Sequence, residues 1–275
     1  MPHSTGIDWD DAFANRPYID DGDSFPTAWA QQAQAFRASH AAAQLDLPYG
    51  PAPREMFDLF LPVTARPEGV VVFVHGGYWM AFDKSRWSHL AQGALAQGWA
   101  VAMPQYTLAP DARIDQMTGQ MGRAIAEIAR HVAGPIVLTG HSAGGHLVTR
   151  MVCAGAPLDP AVQARMRHVL SISGLHDLRP LQMTAMNETL GLTEQTARHE
   201  SPALLHPVDG VAVTAWVGGH ERPEFLRQAA LLREAWSRHG TPVRLVVEDG
   251  LHHFNVIEGL ANAESALTRA LLQLP

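Results

Sequence analysis

Residues 137–150 read VLTGHSAGGHLVTR: an apolar run enters a knot of three glycines, Gly140, Gly144 and Gly145, and leaves as helix-forming sequence. A strand that turns so abruptly into a helix forces one side chain into the open, and here that side chain is Ser142. Gly140 and Gly145 have the spacing of a phosphate-cradling loop, but such a loop continues with Lys and then Ser or Thr. His146 and Leu147 stand in those places. No G-x-G-x-x-G follows the strand GVVVFVHGG either, so no cofactor is expected. Read instead as G-x-S-x-G, the stretch from Gly140 to Gly144 forms a nucleophile elbow. Small neighbours there let a strained serine project above a sheet, with a helix N-terminus behind it to favour negative charge.

The rest of the chain supplies the sheet. GVVVFVHGG, WAVAMPQY, PIVLTG, HVLSISG, VAVTAWVGG and PVRLVVEDG are short buried strands. Helical periodicity marks SRWSHLAQGALAQG, RIDQMTGQMGRAIAEIARHVAG, HSAGGHLVTRMVCAG, RPEFLRQAALLREAWSRHG and a final helix from Val256 to Leu272. An irregular helical stretch covers roughly residues 177–205. This alternation implies right-handed crossovers and a mainly parallel central α/β sheet covered by helices on both faces. One domain is expected over residues 1–275. Residues 1–50, polar and rich in Ala and Gln, read as one amphipathic helix with loops, an N-terminal lid or cap segment at the mouth of the site.

Composition removes several function classes. A net charge of −7 gives no basic footprint for nucleic acid. No apolar run approaches the roughly 20 residues of a membrane span. The start, MPHSTGIDWDD, lacks the basic and apolar regions of a signal peptide. The single cysteine, Cys153, lies in apolar helical sequence as a core residue and is compatible with a reducing cytoplasm. Fifteen histidines invite a metal reading, yet HESPA and HERPE both lack the second histidine of H-E-x-x-H and no cysteine pair exists, so no metal is expected. The expected partner is a small-molecule substrate; a homodimer is compatible with the sequence.

An elbow requires three further parts. The N–H of the residue after the serine, Ala143, needs a companion from a glycine-rich loop, and HGGYW offers His75, Gly76, Gly77 and Tyr78. A carboxylate should follow the penultimate strand. Glu221 stands two residues after WVGG, with Glu224 (a first-turn helix carboxylate) and Asp177 (a helix cap) as rivals. A histidine should follow the last strand, where EDGLHHF offers His252 and His253. Tyr78 and Trp79 are candidates to line an aromatic substrate pocket or to fill the core. His75 reads as a brace for the oxyanion loop, and His141 and His146 as packing residues beside the elbow.

With these motifs in order, the chain resembles the kynurenine formamidases (arylformamidases), close to the hormone-sensitive-lipase-type esterases. The likeness runs from about residue 47 and is carried by LPYGPAPREMFDLFLP, HGGYW, YTLAPDARIDQM, GHSAGGHL, SGLHDLRPL, SPALL, RPEFLRQ and HHFNVIEGL. It implies the α/β-hydrolase fold and a cofactor-free amide or ester hydrolase with N-formylkynurenine as the reference substrate. By position it implies Ser142 as nucleophile and His253, directly before Phe254, as the catalytic histidine. The acid falls on Glu221, where the family usually has Asp, and His252 stands where an acidic residue is usual. A short-chain carboxylesterase would use the same triad. A small-molecule-binding protein on this scaffold is the non-enzyme alternative, although such proteins usually lose the serine or the histidine.

Overall fold

Every residue of Val70–Val74 is buried, and its side chains alternate between two separate apolar cores. Val70, Val72 and Val74 pack into one, Val71 and Phe73 into the other. A strand with two dry faces belongs in the middle of a parallel sheet. The computed structural model, which describes residues 6–63 and 66–274, places it there. The strands are β1 (Ala43–Pro48), β2 (Met56–Phe60), β3 (Val70–Val74), β4 (Ala100–Pro104), β5 (Ile136–His141), β6 (Met166–Ile172), β7 (Ala212–Gly218) and β8 (Val243–Glu248), in spatial order β1-β2-β4-β3-β5-β6-β7-β8. From β4 to β8 all neighbours are parallel, while β2 pairs antiparallel with both β1 and β4. This is the α/β-hydrolase fold.

One face carries α1 (Trp9–Phe13), α4 (Ile114–His131), α5 (Ala143–Arg150), α7 (Asn187–Leu190), α8 (Glu194–His199) and α9 (Pro223–Ser237), whose buried residues join Val70 and Val72 in one core. The other carries α2 (Phe25–Ser39), α3 (Gln92–Ala96) and α10 (Ala266–Leu272), packed on Val71 and Phe73; the short α6 (Pro160–Gln163) precedes β6. Residues 1–5 of the expected N-terminal cap segment lie outside the described residues.

Three local expectations are corrected. Residues 43–48, read within a helix-and-loop segment, form edge strand β1, whose outward positions are mostly exposed and whose register shifts between Gln44 and Leu47. Polar, irregular sequence leaves no period of two to detect. The strand's backbone pairs antiparallel with β2, and charge adds a second tie: the buried ammonium of Lys84 bonds Asp46 of β1 and Asp58 of β2, both at 2.6 Å. The stretch after Asp83 begins as a 3₁₀ turn over Lys84–Ala91 before one short α-helical piece. The C-terminal helix is also split, into a 3₁₀ turn Glu258–Ala261 and α10. Asn262 accepts from the N–H of Glu264 at 2.9 Å and Ser265 caps α10, so turn-forming side chains break the helical period between them.

The glycine knot is where this architecture closes. A Cβ on Gly144 would overlap the carbonyl oxygen of Val74, and one on Gly140 would overlap the backbone of Gly144. Helix α5 therefore sits directly on the ends of β3 and β5. Gly144→Ala should lower stability by about 3 kcal/mol through overpacking. Gly119→Ala, in α4 with Arg123 Nη1 as its nearest neighbour at 3.8 Å, should raise it by about 0.5–1 kcal/mol. Urea unfolding of both variants checks the contrast; equal effects would contradict the packing assigned to the knot.

Candidate active site

Strand β5 ends at His141, and the next residue turns sharply. Ser142 has φ 56° and ψ −118°, a conformation that costs a non-glycine residue about 1 kcal/mol or more. Its carbonyl accepts from the N–H of His146 at 3.1 Å, starting α5, and its own N–H donates to Ile172 at the end of β6 at 2.8 Å. The serine's backbone is thus locked by β6 and α5, and its N–H is committed, so oxyanion donors must come from its neighbours. Ala143 begins α5 beside it, fully buried.

The loop after β3 comes to the same point. A Cβ on Gly76 would lie 2.8 Å from the oxygen of His141 and 3.1 Å from Cβ of Ser142. Gly77 has φ 109°, and Tyr78 and Trp79 follow at φ 50° and 58°, a run of left-handed residues that turns the chain across the serine. Strain on this scale clusters at functional sites. Two hydrogen bonds at 3.0 Å, from Met80 and Ala81 to the carbonyl of Gly77, hold the turn. Beneath it His75 lies flat on Tyr106, ring centroids 4.7 Å apart, and Tyr106 donates to the carbonyl of His75 at 3.1 Å.

The acid and the histidine meet. Glu221, between β7 and α9, and His253, after β8, are both buried, and His253 Nδ1–H donates to Glu221 Oε2 at 2.6 Å. The other carboxylate oxygen accepts from the N–H of Gly218 at 2.9 Å and from the hydroxyl of Ser173. Placing the proton on Nδ1 leaves a lone pair on Nε2, the state a general base needs. The rivals are engaged elsewhere. Asp177 binds the Arg179 guanidinium through both carboxylate oxygens, and Glu224 binds Arg227 and Gln228. His252 accepts from the N–H groups of Phe254 and Asn255, capping the turn that presents its neighbour.

A cavity of about 430 Å³ joins these parts: Ser142, His253, Gly76, Gly77 and Tyr78 all line it. Trp79 does not. Its indole is fully buried in the core, edge-on to His146 with centroids 5.2 Å apart, because the left-handed turn that presents Tyr78 directs the next side chain inward. The aromatic wall comes instead from Phe13, Trp29, Phe82, Trp87 and Phe254. Trp29 sits in α2, and its ring packs on Trp87, Phe82 and Phe254. A tryptophan in an Ala/Gln-rich helix was the available signal. Only the fold shows that this helix reaches the site.

No group of three or more His, Cys, Asp or Glu among the described residues is arranged to hold a metal ion. Burial pushes the Cys153 thiol up to about 12, so it stays protonated in the core. No helix of the described residues is long and apolar enough to cross a membrane.

The BD-FAE family model matches residues 57–209. Kynurenine formamidase of Danio rerio is 31% identical over 239 residues, covering 84% of this chain and 81% of that protein. This chain belongs to the kynurenine formamidase family. It is a hydrolase of the α/β-hydrolase type. The crystal structure of a candidate thioesterase from Silicibacter sp. tm1040 superposes with a TM-score of 0.93 at 51% identity, covering 97% of this chain and all of that one. An esterase of Pyrobaculum calidifontis shares the fold at a TM-score of 0.72 and 16% identity, with 92% and 91% of the two chains covered.

The buried histidines around the site set a pH limit on the fold. Burial lowers His75 and His146 to about 4 and His176 to about 3, and it holds His141, beside His253, well below its ordinary range. A group whose folded value is depressed binds its proton in the unfolded chain first. The stability it contributes is complete above about pH 6.5 and is lost as pH falls toward 4, on the order of 3 kcal/mol for one such ring. The unfolding midpoint should therefore drop steeply between pH 6.5 and 4.5. A midpoint constant over that window would contradict neutral, buried rings.

Proposed function

We propose that this chain is an arylformamidase-like serine hydrolase that removes a small acyl group, formyl in the first instance, from an aromatic amine. The observation that carries the reading is the 2.6 Å bond between Glu221 and a His253 that lines one cavity with the left-handed elbow serine. Ser142 Oγ attacks the carbonyl carbon while His253 Nε2 takes its proton, and Glu221 fixes the imidazole tautomer and stabilises the imidazolium. The N–H groups of Gly76, Gly77 and Ala143 face the developing oxyanion. The imidazolium then protonates the departing amine. Water, deprotonated by the same ring, releases the acid and restores Ser142.

The aryl preference rests on the aromatic wall built by Trp29, Phe82 and Phe254, to which Tyr78 adds its ring from the strained loop. The name of the Danio rerio relative points the same way. The candidate thioesterase at 51% identity keeps a thioester as the second reading, because the same triad would cleave it. The protein's substrate is a small molecule, and we place the chain in the cytoplasm, where its one buried thiol needs no disulfide partner.

The N-terminal residues act as a lid. Asp10, Phe13, Asn15 and Arg16 line the cavity. Tyr78 donates to the carbonyl of Phe13 at 2.6 Å. Arg222, next to Glu221, grips Asp11 and lies 3.6 Å over the ring of Tyr18. The segment is thus tied to both the oxyanion loop and the acid loop. Asp11→Ala should raise KM for an aryl formamide several-fold and leave kcat within about twofold. A fall in kcat with unchanged KM would contradict a role confined to substrate entry.

Ser142→Ala should reduce turnover by about 10⁴-fold or more. The substrate class is decided by kcat/KM for N-formylkynurenine against p-nitrophenyl acetate, p-nitrophenyl butyrate and an acetyl thioester on the purified protein. The formamide should be preferred despite its harder bond. A preference of about 10³-fold for an ester or thioester, worth about 4 kcal/mol in the transition state, would overturn the formamidase reading.

A further inference from the structure

A glutamate has one more rotatable bond than the aspartate usual at this place, so its carboxylate needs more external restraint to present one oxygen in a fixed direction. The restraint is visible in the molecule. The Glu221 side chain is fully buried, and donors from three strand ends converge on it: Ser173 after β6, Gly218 at the end of β7 and His253 after β8. Ser173 and Gly218 both donate to Oε1. Oε2 is thereby turned to the imidazole.

Ser173 is itself held in an unusual way. It is fully buried, its N–H donates to the carbonyl of Trp216 at 2.7 Å, and its φ is 50°. Glycine would take this left-handed backbone at no steric cost, whereas a side chain costs about 1 kcal/mol there. Serine differs from glycine by the one group that touches Glu221. The strained backbone aims that hydroxyl at the carboxylate.

We infer that Ser173 is a positioning residue for the acid, fixing the Glu221 carboxylate so that a glutamate performs the orienting work at His253. This rests on the triad proposed above. Its effect passes through Glu221 and therefore belongs to kcat rather than to substrate binding.

A double-mutant cycle on the full chain tests it. Ser173→Ala and Ser173→Gly are made in the native and in the Glu221→Ala background, and kcat and KM are measured with p-nitrophenyl acetate and N-formylkynurenine. In the native background both variants should lose about 10- to 100-fold in kcat, with KM within about twofold. In the Glu221→Ala background the further loss should be under about twofold. The downfield proton resonance of His253 Nδ1–H should weaken or move in Ser173→Ala. Equal losses in the two backgrounds would overturn the proposal. So would native kcat in Ser173→Gly, which would assign any defect of Ser173→Ala to backbone strain alone. Ser142→Ala separates the two layers. If it is inactive and the cycle is additive, only the role of Ser173 fails; if it keeps full activity, the triad fails and the role of Ser173 with it.

Discussion

Helix α5 rests on the end of β3 through bare backbone. At Gly144 the space that a side chain would need is taken by the carbonyl of Val74, and Gly140 closes just as tightly against Gly144. This contact draws β3, β5 and α5 to one point, which is why the turn between strand and helix must be as tight as Ser142's left-handed φ records. The loop after β3 is brought within reach of the serine by the same approach, with only the hydrogen of Gly76 separating it from His141 and Ser142. Backbone strain at Ser142, Tyr78 and Trp79 is what the well-packed sheet below sustains.

Above the knot Ser142, Glu221 and His253 are buried, and the charges beside them are few and held. The Glu221 carboxylate is met by three donors, which compensates its removal from water. The surrounding histidines are kept neutral by burial; His141 makes the point, with its Nε2–H donated to the carbonyl of His253 at 2.9 Å and its ring packed against that residue. A neutral ring there adds no competing positive charge beside the imidazolium that catalysis would form. The cavity wall adds the rings of Phe13, Trp29, Phe82, Trp87 and Phe254, aromatic carbon that lowers the dielectric in which the interactions at Ser142 and His253 act.

The strands, the elbow and the order of serine, acid and histidine were legible because each rests on a local rule: continuous apolar runs, glycine spacing, and loops at the carboxyl ends of strands. The pairing of Glu221 with His253 followed from that order even though the family usually has aspartate at the acid position. What escaped was set by contacts between distant segments. Edge strand β1 is defined by pairing with β2, tied further by Lys84 bridging Asp46 and Asp58, not by a pattern of its own. Trp79 was a candidate for the pocket, and two successive left-handed residues put Tyr78 there and Trp79 in the core. Trp29 and Ser173 carry no local motif. One reaches the cavity through helix packing, the other reaches the acid from the end of the neighbouring strand.

The central claim is that the elbow serine is a nucleophile activated by the His253–Glu221 pair. A fluorophosphonate that reacts only with activated serine hydroxyls measures this without any assumption about substrate. Intact-mass and peptide analysis of the native chain should show one adduct, on Ser142, forming at a rate that collapses in His253→Ala while the protein remains folded. Labelling at another residue, or an undiminished rate in His253→Ala, would contradict the account.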